Sequence, residues 1–227
     1  MGLTITCSGM ISFGKSTLSG IISDRFGMPI YREPLDSPIL EKFYVASEDE
    51  KELHRYPFLL QLDFLAKRYE ILQKAAESGE VGVMDRSLHE DYHFAKVNTD
   101  IDGIRDVEFE AYKGLYNVMM REYNLIQDKH PLLMVFLTGS FETALERIAL
   151  RGRDFEQGED KTDYYYQLWK GYEDWVDNHY TASEVYKINV DELDVKNNPD
   201  DQNKVLLDIQ ERVNRKVPKE KQIYLLK

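Results

Sequence analysis

The sequence predicts an α/β fold: a five-stranded parallel sheet flanked by helices. Three observations predict it. Apolar, β-prone runs of five to seven residues alternate with longer segments of helical spacing. The first such run leads straight into GMISFGKST (Gly9–Thr17), a glycine-containing loop that a helical pattern follows. The most apolar run, LLMVFLT, has no polar alternation until its last residue, as a strand covered on both faces requires.

The elements follow in order. Leu3–Ser8 (LTITCS) is the first strand. Lys15–Phe26 is a helix, stopped by Gly27 and Pro29. Pro29–Glu33 (PIYRE) is a short second strand. Glu50–Glu77 reads as one long amphipathic helix, with Leu53, Phe58, Leu59, Leu62, Leu65, Tyr69 and Leu72 near helical spacing. Val81–Asp85 is the third strand and Leu132–Thr138 the fourth. Val107–Gln127, Phe141–Leu150 and Asp163–Asn178 are helical. Val185–Val190 is the fifth strand, and Asn197–Asp201 a turn before a last helix. Parallel strands joined through helices imply right-handed crossovers. No repeat or low-complexity linker interrupts the pattern, so residues 1–227 are expected to form a single domain.

Composition narrows the function. A net charge of -12 argues against nucleic-acid polymers and anionic membrane surfaces, both of which demand Lys and Arg. One cysteine, Cys7, offers no disulfide framework and points to a reducing cytoplasm. No apolar run is long enough to span a bilayer, and the start does not read as a signal peptide. MGLTIT formally fits a myristoylation pattern, but LTITC is expected to tie that end into the sheet.

In an open parallel sheet, ligands sit beyond the carboxyl ends of the strands. GMISFGKS fits G-x-x-x-x-G-K-S in the strand–loop–helix setting that the motif requires. The backbone of Gly9, Met10, Ile11, Ser12, Phe13 and Gly14 can turn its amides toward an anion at a helix N-terminus. Lys15 can reach outer phosphates, and Ser16 can hold Mg²⁺, with Thr17 completing the loop. This predicts a nucleoside triphosphate, with ATP and Mg²⁺ as its simplest form, and leaves the reaction open.

Three further clusters follow the other strands. Glu33, in YREPLD, fits a general base that takes a proton from a hydroxyl and equally fits a solvated glutamate before a turn. Asp85 fits a magnesium partner and also a helix cap; the two roles are compatible. Arg86 beside it can pair with a carboxylate or with charge developing on phosphate. Arg147, Arg151 and Arg153 stand within seven residues of an acidic chain, and Gly152 breaks the helix that carries them. They fit a lid over a triphosphate, or a helix end whose cations answer its dipole. The lid is the stronger reading, because water must be shut out if a phosphoryl group is to be transferred.

GMISFGKST, REP, DRSLHED and RIALRGRDFEQG stand in the order seen in the deoxyribonucleoside kinases, and the chain resembles that family from Leu3 to about Asp191. It is most similar to bacterial deoxyadenosine/deoxyguanosine kinases. The resemblance implies a P-loop kinase fold with an arginine-rich lid, and transfer of the γ-phosphate of ATP to a deoxynucleoside 5′-hydroxyl. It further implies Glu33 as base, Arg86 holding that hydroxyl, Ser16 and Asp85 at magnesium, and a homodimer built on helices beside the sheet. Gln61 matches a glutamine that pairs with the nucleobase, and a side-chain amide offers a donor and an acceptor for that task. Arg68 matches an arginine paired with Asp91 in the base pocket. Tyr44 matches a tyrosine at the sugar 3′-hydroxyl, and Phe64 and Phe94 fit pocket walls. The acidic stretch ASEDEKE separates Tyr44 from Gln61 by more than the animal enzymes show. Alignment on Trp175 sets Tyr166 where those enzymes carry a glutamate for the 3′-hydroxyl, so that contact passes to Tyr166 or Asp163.

Two other readings are weighed. A nucleoside monophosphate kinase, as for thymidylate, shares the loop, the Asp-Arg pair and the lid, but it needs cations for its acceptor rather than Glu33. A GTPase-like switch needs an N-K-x-D stretch, which the chain lacks.

Overall fold

The computed structural model describes residues 3–32, 37–101, 103–125, 131–158 and 161–226. Five strands form one parallel sheet in the order β2-β3-β1-β4-β5. They are β1 (Leu3–Gly9), β2 (Ile30–Tyr31), β3 (Val81–Asp85), β4 (Pro131–Thr138) and β5 (Glu184–Asn189). Central β1 is covered on both faces, so even Thr4, Thr6 and Ser8 are buried. Strand β4 is buried along nearly its whole length, as its composition demands. The edge strands differ from expectation. β2 is two residues long rather than Pro29–Glu33, and β5 is only partly buried, because an edge has one neighbour to pair with.

Ten helices follow among the described residues. Helix α1 (Lys15–Phe26) links β1 to β2, and α2 (Leu40–Val45) was not foreseen. The expected helix Glu50–Glu77 is two helices, α3 (Glu48–His54) and α4 (Tyr56–Ser78). Pro57 has no N–H to give to the carbonyl four residues back, so a continuous helix would lose a bond there. The break puts Pro57 in the first turn of α4, where its missing N–H is harmless. Arg55 absorbs the break in the left-handed region (φ 53°). Its guanidinium pairs with Glu108 at 2.6 Å.

Helix α5 (Leu88–Asp100) is capped by Ser87 and Glu90, and α6 (Asp106–Leu125) packs beside it. α7 (Phe141–Arg151) ends at Gly152 in the left-handed region (φ 63°). The expected helix Asp163–Asn178 divides at Gly171 into α8 (Thr162–Lys170) and α9 (Tyr172–Asn178). Helix α10 (Pro199–Asn214) is capped by Asn198. A core of Ile5, Val83, Val135, Ile188, Leu206 and Ile209 joins the sheet to α1, α7 and α10. A second, around Leu65, Leu88, Ala95 and Tyr112, joins α4, α5 and α6 beside β3. No described helix is long and apolar enough to cross a membrane.

Candidate active site

A cavity of about 830 Å³ opens beyond the carboxyl ends of β1, β3 and β4. The strand order places β3 on one side of β1 and β4 on the other, so the connections diverge there and leave a crevice.

One half is the glycine loop. Gly9 (φ 137°) has no room for a side chain, since a Cβ would lie 2.5 Å from the carbonyl oxygen of Leu137. Gly14 (φ 99°) caps the N-terminus of α1. Residues Ile11–Thr17 line the cavity, while Gly9 and Met10 sit behind them. The Lys15 ammonium is buried and donates to the Met10 carbonyl at 2.8 Å. The Ser16 hydroxyl donates to the Asp85 carboxylate at 2.5 Å, which joins the loop to the end of β3. Arg147 donates to the carbonyls of Phe13 (2.9 Å) and Val190 (3.2 Å), so it lies across the loop. Arg151 and Arg153 line the same side and both pair with Glu156, Arg153 at 3.3 Å. The segment Leu193–Asn197 closes this half.

The other half is walled by side chains of α2, α4, α5 and α8. Gln61 and Arg68 of α4 are seven residues apart, two turns along one face, and both are buried against the cavity. Arg68 pairs with Asp91 at 2.6 Å and donates to the Asp85 carbonyl at 3.1 Å. Burial pushes the Asp91 carboxyl up to about 6, against the pull of the Arg68 guanidinium. Phe64 and Phe94 form walls, and the Arg86 guanidinium lies 4.4 Å above the Phe94 ring. Arg86 holds a left-handed backbone (φ 70°), unusual for a residue with a side chain. Tyr44 lies at the rim with its ring 5.6 Å from that of Phe155, and burial pushes its hydroxyl well above the ordinary phenol range.

The expected positions fare differently. Lys15, Ser16, Asp85, Arg86, the three lid arginines, Tyr44, Gln61, Arg68 and Asp91 converge on one crevice. Tyr166 does not line it. That side chain is 43% exposed and packs on Phe141 and Trp169, because Tyr164 and not Tyr166 falls on the inner face of α8. Asp163 is also absent from the lining, and Glu33 lies outside the described residues.

Three participants went unread in the sequence. Glu156 is buried among the lid arginines, and the backbone carbonyl beside it accepts from the Tyr165 hydroxyl at 2.9 Å. Its signal was an acid three residues past Arg153 in a cationic segment. Glu90 is wholly buried and was announced by the S-x-x-E spacing from Ser87. Tyr164 carried no signal apart from its helix face.

A phosphate loop, a strand-end aspartate and an arginine cluster beside the loop on a 2-3-1-4-5 parallel sheet define a P-loop kinase fold. The comparisons with known proteins narrow this class. The family model described as deoxynucleoside kinase matches residues 5–214. The chain is 37% identical over 213 residues to the deoxyadenosine kinase of Lactobacillus acidophilus, covering 92% of this chain and 95% of that one. It is 38% identical over 206 residues to the deoxyguanosine kinase of Lactobacillus johnsonii, covering 89% and 88%. The structure of deoxyadenosine kinase from M. mycoides with bound dATP superposes with a TM-score of 0.74 at 30% identity, covering 91% of this chain and 99% of that one. The chain belongs to the deoxynucleoside kinase family.

Proposed function

We propose that this kinase passes the γ-phosphate of ATP to the 5′-hydroxyl of a purine deoxynucleoside, deoxyadenosine or deoxyguanosine, with deoxycytidine as the third candidate. One observation carries the choice of acceptor: charge divides the cavity. Lys15, Arg147, Arg151 and Arg153 stand on the loop side, where a triphosphate needs them. Deeper in, the base-side cation Arg68 is already answered by Asp91 at 2.6 Å, between an amide and two phenylalanines. That half suits a neutral nucleoside and offers a poor seat to an acceptor phosphate. The purine preference is supported by the names of the two relatives and by the donor–acceptor amide of Gln61.

Each role follows from position, except that of Glu33, which rests on the resemblance of its REP stretch. Loop amides and Lys15 hold the phosphates, and the lid arginines cover the transferred group and shut out water. Ser16 and Asp85 bring a hydroxyl and a carboxylate to one point at the loop, a donor set that fits Mg²⁺. The ion, when bound, neutralises charge on the phosphates. Glu33 takes the proton of the 5′-hydroxyl, and Arg86 steadies that oxygen. Tyr44 and Glu156 share the corner where the sugar hydroxyl is read, which relieves Tyr166 of that duty. The protein works as a single-domain cytoplasmic homodimer. Val107, Leu115 and Val118 of α6 supply exposed apolar surface for pairing.

The deciding experiment is phosphoryl transfer from ATP and Mg²⁺ to the four deoxynucleosides and their monophosphates. Purine deoxynucleosides are expected to be phosphorylated fastest. Activity confined to monophosphates would overturn the reading.

A further inference from the structure

Glu90 has no part in the chemistry described so far, yet it is 0% exposed beneath both halves of the cavity. One carboxylate oxygen takes the Ser8 hydroxyl at 2.6 Å and the Ser87 N–H at 2.9 Å. The other faces the Gly9 N–H at 3.4 Å, the Arg86 guanidinium at 3.7 Å and the Tyr172 hydroxyl. A helix cap explains only the Ser87 bonds. Caps of this kind sit at helix ends and need no contact with strands. The partners here come from β1, the phosphate loop, the turn after β3 and α9.

Two of these partners have unusual backbones. Gly9 starts the phosphate loop at φ 137°, and Arg86 holds φ 70°. They are also neighbours, since the Arg86 N–H donates to the Cys7 carbonyl at 3.0 Å. Sparsely populated conformations persist only where surrounding contacts over-determine them. Glu90 supplies such a contact to Arg86, and at the same time it touches Gly9, whose conformation only glycine adopts freely.

We propose that Glu90 is a positioning residue for phosphoryl transfer. Its carboxylate joins the first residue of the phosphate loop to Arg86 and so fixes the donor loop against the side chain that steadies the attacking oxygen. This rests on the role of Arg86 argued above. A group that sets distance without touching substrate acts on turnover, because misplacement by about 1 Å can cost about 100-fold in rate. It should spare nucleoside affinity, which Gln61 and the Arg68–Asp91 pair govern.

A double-mutant cycle tests it. Glu90→Gln keeps the shape but turns one oxygen into an NH₂ group, which meets donors in either orientation. We expect kcat to fall about 100-fold while the nucleoside KM stays within about threefold. In an Arg86→Ala background, adding Glu90→Gln should lower kcat by less than about threefold, because the coupled function is already gone. Equal factors in both backgrounds would show Glu90 acting only on the general structure and would overturn the proposal. An unchanged kcat in Arg86→Ala alone would instead remove the role of Arg86, and the proposal with it. Should Glu90→Gln not fold, Tyr172→Phe deletes one hydroxyl donor to the same carboxylate. In the same cycle it should lower kcat about fivefold with Arg86 present and not without it. Equal factors there would overturn the proposal in the same way.

Discussion

The loop half and the nucleoside half of the cavity are built by different means. The loop half is nine consecutive residues and one helix end: its working groups are backbone amides, Lys15, and arginines spaced along α7 and the turn after it. The nucleoside half is assembled from single side chains of α2, α4, α5 and α8, brought together from Tyr44 to Tyr164. On the proposed reading the first half binds a triphosphate through charge and main chain, and the second fits the acceptor through burial and shape. Specificity would then belong to the half with the larger tertiary requirement, and substitutions can pull the two apart.

The largest separation should come from Glu33→Gln. A general base contributes about 100-fold or more, so kcat is expected to fall at least that far. Binding of a fluorescent ATP analogue should stay within about twofold, since the loop amides and Lys15 are untouched. Turnover that survives the substitution would move the proton to another acceptor.

Gln61→Ala and Arg147→Ala form a reciprocal pair. Removing the amide leaves a buried polar base edge without its partner, worth about 2 kcal/mol, so the nucleoside KM should rise about 30-fold with the ATP KM unchanged. Arg147→Ala should do the reverse, because its side chain crosses the loop and borders the Leu193–Asn197 segment. Steady-state kinetics with each substrate varied in turn measure both. Equal shifts in the two KM values would dissolve the division of the cavity.

The same division decides what could be read in the sequence. The loop, the five strands and the arginine cluster beside the loop were legible because their signals are local: a motif, an apolar run, a cluster within seven residues. The nucleoside half was not legible from pattern alone. Gln61 on α4 looks like any polar residue of a long helix until α5 is packed against it, and only family resemblance pointed to it. The breaks at Arg55 and Gly171 were missed because helical periodicity continues across both, although Pro57 was a readable warning. Tyr166 was misplaced for a related reason. Neighbouring helix positions differ by about 100° in direction, so Tyr164 and Tyr166 fall on different faces of α8.

The smallest expected effect, about tenfold, divides the nucleoside half itself. Besides Glu90, helix α5 carries two buried titratable groups, Asp91 in the cavity lining and His93 outside it, stacked on Trp175 with ring centroids 4.8 Å apart. Burial raises the Asp91 carboxyl from 3.8 to about 6 and lowers the His93 imidazole from 6.5 to about 4. The signs oppose. Between 3.8 and about 6 the folded chain holds the Asp91 proton more tightly than the unfolded chain, so this group makes the fold less stable as pH rises through that window. Between about 4 and 6.5 the unfolded chain protonates His93 while the folded chain does not, so stability from this group is lost as pH falls. Thermal stability should therefore change little with pH over the shared range. Substrate affinity should not cancel, because of these two groups only Asp91 lines the cavity. Protonating it weakens the Arg68 pair, and the nucleoside KM is expected to rise about tenfold from neutral pH to one unit below the Asp91 pKa. The rise should disappear in Asp91→Asn and persist in His93→Phe, whose melting temperature should instead rise on acidification through the shared range, where that of the parent changes little. A KM profile unchanged by Asp91→Asn would assign the titration to another group and leave the Arg68–Asp91 pair a purely structural role.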